Sequence, residues 1–120
     1  MRNFKNLEIW QFGMQLVTDI YKIAALLPTD EKYGLKSQIC RAAVSIPSNI
    51  AEGCSRNSDM DYRRFLEIAL GSTFELETQA LIMVNLNFVS TQQISETLSL
   101  LQREQKMIYS LIAKLTPPKK

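Results

Sequence analysis

The chain has 120 residues, 46% of them hydrophobic with only 4 glycines and 4 prolines, which suits one ordered, helix-rich domain with a core of its own. Its 14 basic and 12 acidic residues leave a net charge of +2, which selects no class of partner, and the absence of histidine removes His-activated nucleophiles and most zinc sites. Cys40 and Cys54 have no metal-ligand spacing, no basic-then-apolar leader opens the chain, and the uncharged residues 78–95 are interrupted by Asn85, Asn87, Gln92 and Gln93, so the expectation is a cytoplasmic protein with free thiols and no membrane span.

The first helix is predicted over residues 7–27, with Asn6 as N-cap and Pro28 as the stop. A narrow polar stripe (Glu8, Gln11, Gln15, Thr18, Lys22) separates two apolar ones. One is Trp10, Met14, Val17, Tyr21 and Ala24; the other is Ile9, Leu16, Ile20, Ile23 and Leu27. A surface helix of a monomer needs one such stripe, so this helix is expected to be buried on more than one side. After a loop at residues 28–32, a second helix is predicted over residues 33–53. Leu35, Ile39, Ala42, Ala43, Ile46 and Ile50 share its apolar face, and Gly53 is read as a left-handed stop. Pro47 lies inside it and predicts a kink, among small residues (Ala42, Ala43, Ser45, Ser48, Ala51) that let a neighbouring backbone come close.

The third helix is predicted over residues 59–84, with Ser58 as N-cap and Asp61 completing a capping box. Tyr62, Phe65, Leu66, Ala69, Thr73, Leu76, Ala80 and Met83 form its core face, while Leu70, Phe74 and Leu81 make a separate apolar stripe. Glu77 falls between the two, partly buried, and Arg41 is the expected partner. The segment 85–87 breaks the pattern. A fourth helix follows over residues 91–115, opened by a Ser90–Gln93 capping box and a Val89–Ile94 staple. Ile94, Leu98, Leu101, Gln105, Ile108, Ile112 and Leu115 alternate at four and three as a heptad seam, and Lys119-Lys120 is expected to be a frayed basic tail. The reading is all-α: an up-down-up-down four-helix bundle with more apolar surface than one core hides, and so a homo-oligomer.

The run AAVSIPSNIAEG at residues 42–53, followed by Arg56, resembles the signature of the 23S rRNA intervening-sequence proteins, small four-helix bundles named after open reading frames inside insertions in bacterial 23S rRNA genes. LEIWQ at residues 7–11, LLP at 26–28 and YRRFLEIALGSTFELETQ at 62–79 agree with it, so the resemblance covers about residues 4–115. It implies a bundle similar to the accessory protein of diversity-generating retroelements, a ring-like homopentamer, and nucleic-acid binding.

From the residues themselves, charge is unevenly spread. Residues 32–64 carry six basic and three acidic groups, whereas residues 65–102 carry Glu67, Glu75, Glu77 and Glu96 and no basic group. Arg56, Arg63 and Arg64 cluster around the turn between the second and third helices, with Lys36 and Arg41 on the second. These five are the expected contacts to RNA or DNA, since arginine forks match phosphate and a ring would repeat each patch. The row Arg41, Ser45, Asn49, Glu52 has two readings: lining a groove or pore, or hydrogen-bonding across an interface and fixing its geometry. The second is preferred, so Ser45 and Asn49 join Leu70, Phe74 and Leu81 as expected interface residues. Glu75 and Glu77 point to different sides and form no catalytic pair, and Cys40 reads as packing. The expected function is therefore non-enzymatic, without cofactor or metal; the alternative is a scaffold that docks a protein partner such as a reverse transcriptase.

Overall fold

The computed structural model describes residues 2–118, and the expected Lys119-Lys120 tail lies outside them. The described residues form four α-helices and two 3₁₀ turns, with no strand. The helix α1, Glu8–Ala24, is not capped by Asn6. A 3₁₀ turn, Phe4–Asn6, precedes it, where Asn3 Oδ1 accepts the Lys5 N–H at 3.2 Å and Leu7 takes the N-cap position. That turn is held by packing: Phe4 meets Trp10 edge-on at 5.3 Å between ring centroids. Regular helix ends at Ala24, yet the N–H groups of Leu26 and Leu27 bond to Ile23 and Ala24 at 2.9 and 3.1 Å. The chain thus keeps coiling, more tightly, as far as Pro28.

A second 3₁₀ turn, Thr29–Glu31, occupies the expected loop, and α2 runs unbroken from Leu35 to Cys54 through Pro47. Glu31 Oε1 accepts the Leu35 N–H at 3.1 Å, satisfying one orphan donor of the first turn. Gly53 is not a left-handed stop, because no glycine has positive φ. Its value is the missing side chain: a Cβ there would lie 2.9 Å from Phe65 Cβ and 3.1 Å from Tyr62 Cδ1. Cys54, one residue past the predicted helix end, is helical and buried.

The helix α3, Asp59–Asn85, starts at Ser58, whose Oγ accepts the Asp61 N–H at 3.1 Å. Only that half of the expected capping box forms. Asn87, at φ 60°, supplies the left-handed residue that ends α3. The Phe88 N–H reaches Met83 O at 3.0 Å and the Asn87 N–H reaches Val84 O at 2.9 Å, the paired bonds of a Schellman stop. The helix α4, Thr91–Leu115, opens with both halves of its capping box: Ser90 N–H to Gln93 Oε1 at 2.7 Å and Gln93 N–H to Ser90 Oγ at 3.1 Å.

Consecutive helices pack side by side, α4 closes on α1, and the diagonal pairs make no close backbone approach among the described residues. Partner numbers fall on one helix as they rise on the next. Ser45 meets Ser72 and Gly53 meets Phe65; Glu77 meets Gln105 and Arg63 meets Thr116. Successive helices from α2 to α4 therefore run antiparallel, within a rod of 49 × 25 × 22 Å.

All eight residues expected on the α3 core face are buried. The α4 seam has a different phase: Ile94, Thr97, Leu101, Glu104 and Ile108 are buried, while Leu98 and Gln105 are only half-buried. Gln105 Nε2 donates instead to Glu77 Oε1 at 2.8 Å, so Gln105, not Arg41, is the partner of Glu77. Glu104 is 0% exposed and neither carboxyl oxygen has a hydrogen-bond partner among the described residues. Its Oε2 would lie 3.3 Å from a Cβ on Gly13, as would Pro47 Cβ, so the absent side chain of α1 makes room where α2 and α4 converge. Burial pushes the Glu104 carboxyl up to about 8.

Candidate nucleic-acid interface

Beside the turn between α2 and α3 the two helices are in very close contact. With no side chain on Gly53, Tyr62 and Phe65 pack directly against α2, and both rings are buried. Arginines cover them. The Arg56 guanidinium carbon stands 4.8 Å from the Phe65 ring centroid and that of Arg64 stands 5.8 Å from the same ring. Arg2, which the sequence reading passed over, joins them from the other end of the chain. It lies 4.1 Å over the Tyr62 ring, pairs with Asp59 and donates to the Arg56 carbonyl at 3.2 Å. Stacking of this kind fixes guanidinium planes while leaving their N–H edges outward. Arg2, Ser55, Arg56 and Asn57 line an open recess of ≈ 450 Å³.

Ion pairing divides the five expected contact residues. Arg56 is 3.1 Å from Glu52 on an exposed face. Arg63 turns away from the recess, toward the end of α4, where its Nη1 donates to Thr116 Oγ1 at 3.4 Å and its Nε lies 3.8 Å from Glu67. Arg64, Lys36 and Arg41 have no carboxylate within 4.0 Å among the described residues. Lys36 and Arg41 are not in the recess at all. They sit in the first third of α2, about 20–30 Å from Arg56 at 1.5 Å per residue. There they line an open cleft of ≈ 540 Å³ together with Tyr21, Lys32 and Tyr33. The structure thus divides the expected basic surface into two patches at opposite ends of α2. Arg2 and Arg56 are 54 residues apart, and only the topology brings them together.

The expected interface residues also fall into two groups. Ser45 and Asn49 are half-buried and bonded within the chain: Ser45 Oγ lies 2.8 Å from Ser72 Oγ, and Asn49 Nδ2 donates to Ser45 O and Oγ at 2.8 and 2.9 Å. They lock α2 to α3. Phe74 and Leu81 remain 54% and 46% exposed on the outside of α3, with Leu70 half-buried beside them. Desolvation by burial raises the Cys54 thiol and brings the Tyr62 hydroxyl to about 12; it also raises Cys40. Neither sulfur is an activated thiolate. Among the described residues no group of three or more Cys, Asp or Glu is gathered as metal ligands, and no helix is long and apolar enough to cross a membrane.

Comparison with known proteins agrees with this architecture. A family model described as 23S rRNA-intervening sequence protein matches residues 5–110. Among solved structures, the chain is similar to a protein with unknown function from the S23 ribosomal protein family of Bacteroides thetaiotaomicron. The two are 22% identical, with a TM-score of 0.80 over 87% of this chain and 97% of that one, a likeness that speaks for the fold. No curated protein matches.

Proposed function

We propose, for a chain that belongs to the family of 23S rRNA-intervening sequence proteins, a non-enzymatic role in the cytoplasm as a ring-like homo-oligomer, a pentamer by family resemblance, that holds RNA or DNA by its phosphates. The observation that carries this reading is the state of the cations. Lys36, Arg41 and Arg64 lack carboxylate partners among the described residues, and Arg56 and Arg64 stand over one buried ring. A monomer with a charge of +2 would hold a polyanion weakly, and repetition around a closed assembly multiplies each patch. The Leu70–Phe74–Leu81 stripe supports assembly, since an exposed apolar row on a helix is stabilised when a second surface covers it. A non-enzymatic role is supported by the carboxylates: Glu75 is 3.5 Å from Gln79 and Glu77 bonds to Gln105, so the two face different neighbours.

Fluorescence anisotropy of labelled structured RNA and duplex DNA, titrated at several salt concentrations, tests the proposal. Wild type is expected to bind with a steep salt dependence. Arg56→Ala/Arg64→Ala is expected to weaken binding to all sequences alike and to lower the logarithmic salt slope by about 1–2 per engaged protomer. Equal, negligible binding by both proteins at low salt would overturn it. The same α3 stripe would then favour the second reading, a scaffold whose apolar row docks a protein partner.

A further inference from the structure

The cleft at the start of α2 differs in kind from the arginine recess at its end. In the recess the aromatic rings are buried beneath the guanidinium groups, Tyr62 at 3% and Phe65 at 8% exposure, so no ring face is left to meet a ligand. In the cleft the rings stand in water: Tyr33 is 88% exposed and Tyr21, from α1, is 52% exposed. Cations surround them. Lys32 Nζ lies 5.4 Å from the Tyr33 ring centroid, and Lys36 and Arg41 line the cleft from α2. None of the three has a carboxylate within 4.0 Å among the described residues, and no acidic residue lines the cleft. The nearest acid in sequence, Glu31, is engaged in accepting the Leu35 N–H. Arg41 keeps one donor on Ser37 Oγ at 2.9 Å, which holds its guanidinium along the helix wall.

We infer that this cleft is a second nucleic-acid site, selective for unpaired nucleotides: a base stacks on Tyr33, Tyr21 lies on the opposite wall, and Lys32, Lys36 and Arg41 take the flanking phosphates. The inference rests on the phosphate-binding reading above and narrows it to a ligand class, single-stranded RNA or DNA. Base faces inside a duplex are already stacked and cannot reach a protein ring, whereas an unpaired base presents one whatever its sequence. A free volume of ≈ 540 Å³ is in the range of small-ligand sites. The two patches then divide the work, one holding any phosphate backbone and the other engaging only where strands are open.

The test uses the full chain with 15-mers of RNA and of DNA carrying 2-aminopurine at the centre, single-stranded and as duplexes. Wild type is expected to quench the single-strand probe on binding. Tyr33→Leu should lose that quenching and weaken single-strand binding by about 5- to 100-fold, the effect of removing one stacking ring, while duplex binding stays within about twofold. Tyr33→Phe, which keeps the ring, should behave as wild type. Comparison of the RNA and DNA arms identifies the sugar preferred. Because Tyr33 is almost fully exposed, its replacement leaves the core intact, and an unchanged melting temperature verifies this. If wild type binds single strands and Tyr33→Leu binds them as tightly with the same quenching, the cleft is not a stacking site and only this inference falls. An equal loss for duplex and single strand overturns it as well, in favour of plain electrostatics. If wild type binds neither form, the phosphate-binding reading falls and this one with it.

Discussion

Glu104 is the residue whose chemistry departs furthest from its ordinary behaviour. It is fully enclosed, its oxygens lack partners among the described residues, and burial drives its carboxyl up to about 8. Such a carboxyl is neutral in the folded protein at pH 7 but ionised in the unfolded chain, whose ordinary value is 4.5. The neutral acid's contribution to stability is fully present below pH 4.5 and is lost as pH rises toward 8, by at most about 1.4 kcal/mol per pH unit. Glu104→Gln, which cannot ionise, should remove this slope and be the more stable protein above pH 7. Urea denaturation of both chains at half-unit steps from pH 5 to 8.5 measures it, and parallel curves would show that native Glu104 holds no more proton in that window than the unfolded chain does. Helical periodicity does not mark this group. Ile94, Leu101 and Ile108 anchor a seam that either of two neighbours can complete: Leu98 and Gln105, as the heptad spacing predicts, or Thr97 and Glu104, as the fold has it. The side chain that reached the interior was selected by the space at Gly13 and Pro47, which belong to other helices.

At the scale of the element, two glycines separate propensity from packing. Gly71 stands exposed on α3, and a Cβ there meets nothing within 4 Å. Gly71→Ala should therefore stabilise the chain by up to about 1 kcal/mol through helix propensity. Gly53→Ala has the same propensity gain but drives a Cβ to 2.9 Å from Phe65 Cβ, an atom too close to its backbone to swing aside. It should destabilise by about 1–3 kcal/mol and loosen the seat of Arg56 and Arg64. Denaturant midpoints of the two variants, moving in opposite directions, test the pair; a rise for Gly53→Ala would sink the close-approach argument. Element types and the buried face of α3 were legible because apolar residues repeat there at helical spacing without competing choices. Helix ends were less so. The Ser90–Gln93 box writes both its halves into residues three apart, whereas the Phe4–Asn6 turn depends on Phe4 meeting Trp10, and the stop at Asn87 on a non-glycine residue adopting positive φ. Of the candidate site, residue types were legible and grouping was not. Neighbouring helix positions differ by about 100°, so Arg64 turns to Phe65 while Arg63 turns to α4, and Arg2 arrives from a distant part of the chain.

For the whole molecule, the proposed assembly is tested at the outer face of α3. Phe74 and Leu81 lie two turns apart on a face that the bundle leaves in water, while Ser45 and Asn49 are engaged inside the chain. Phe74→Asp/Leu81→Asp should lower the mass seen by light scattering without lowering helicity, and an unchanged mass would place any self-contact elsewhere. Oligomer contacts of this kind are invisible in a single chain's core pattern, because the same apolar stripe serves a copy or a foreign partner equally well. The enclosed Glu104 has one more effect, on what folding consumes. An unfolded chain at pH 6–7 carries that carboxyl ionised and the native bundle carries it protonated, so each chain that folds withdraws nearly one hydrogen ion from solution. Folding is then a reaction with a proton among its reactants, and acidity pushes it forward by mass action as added ligand would.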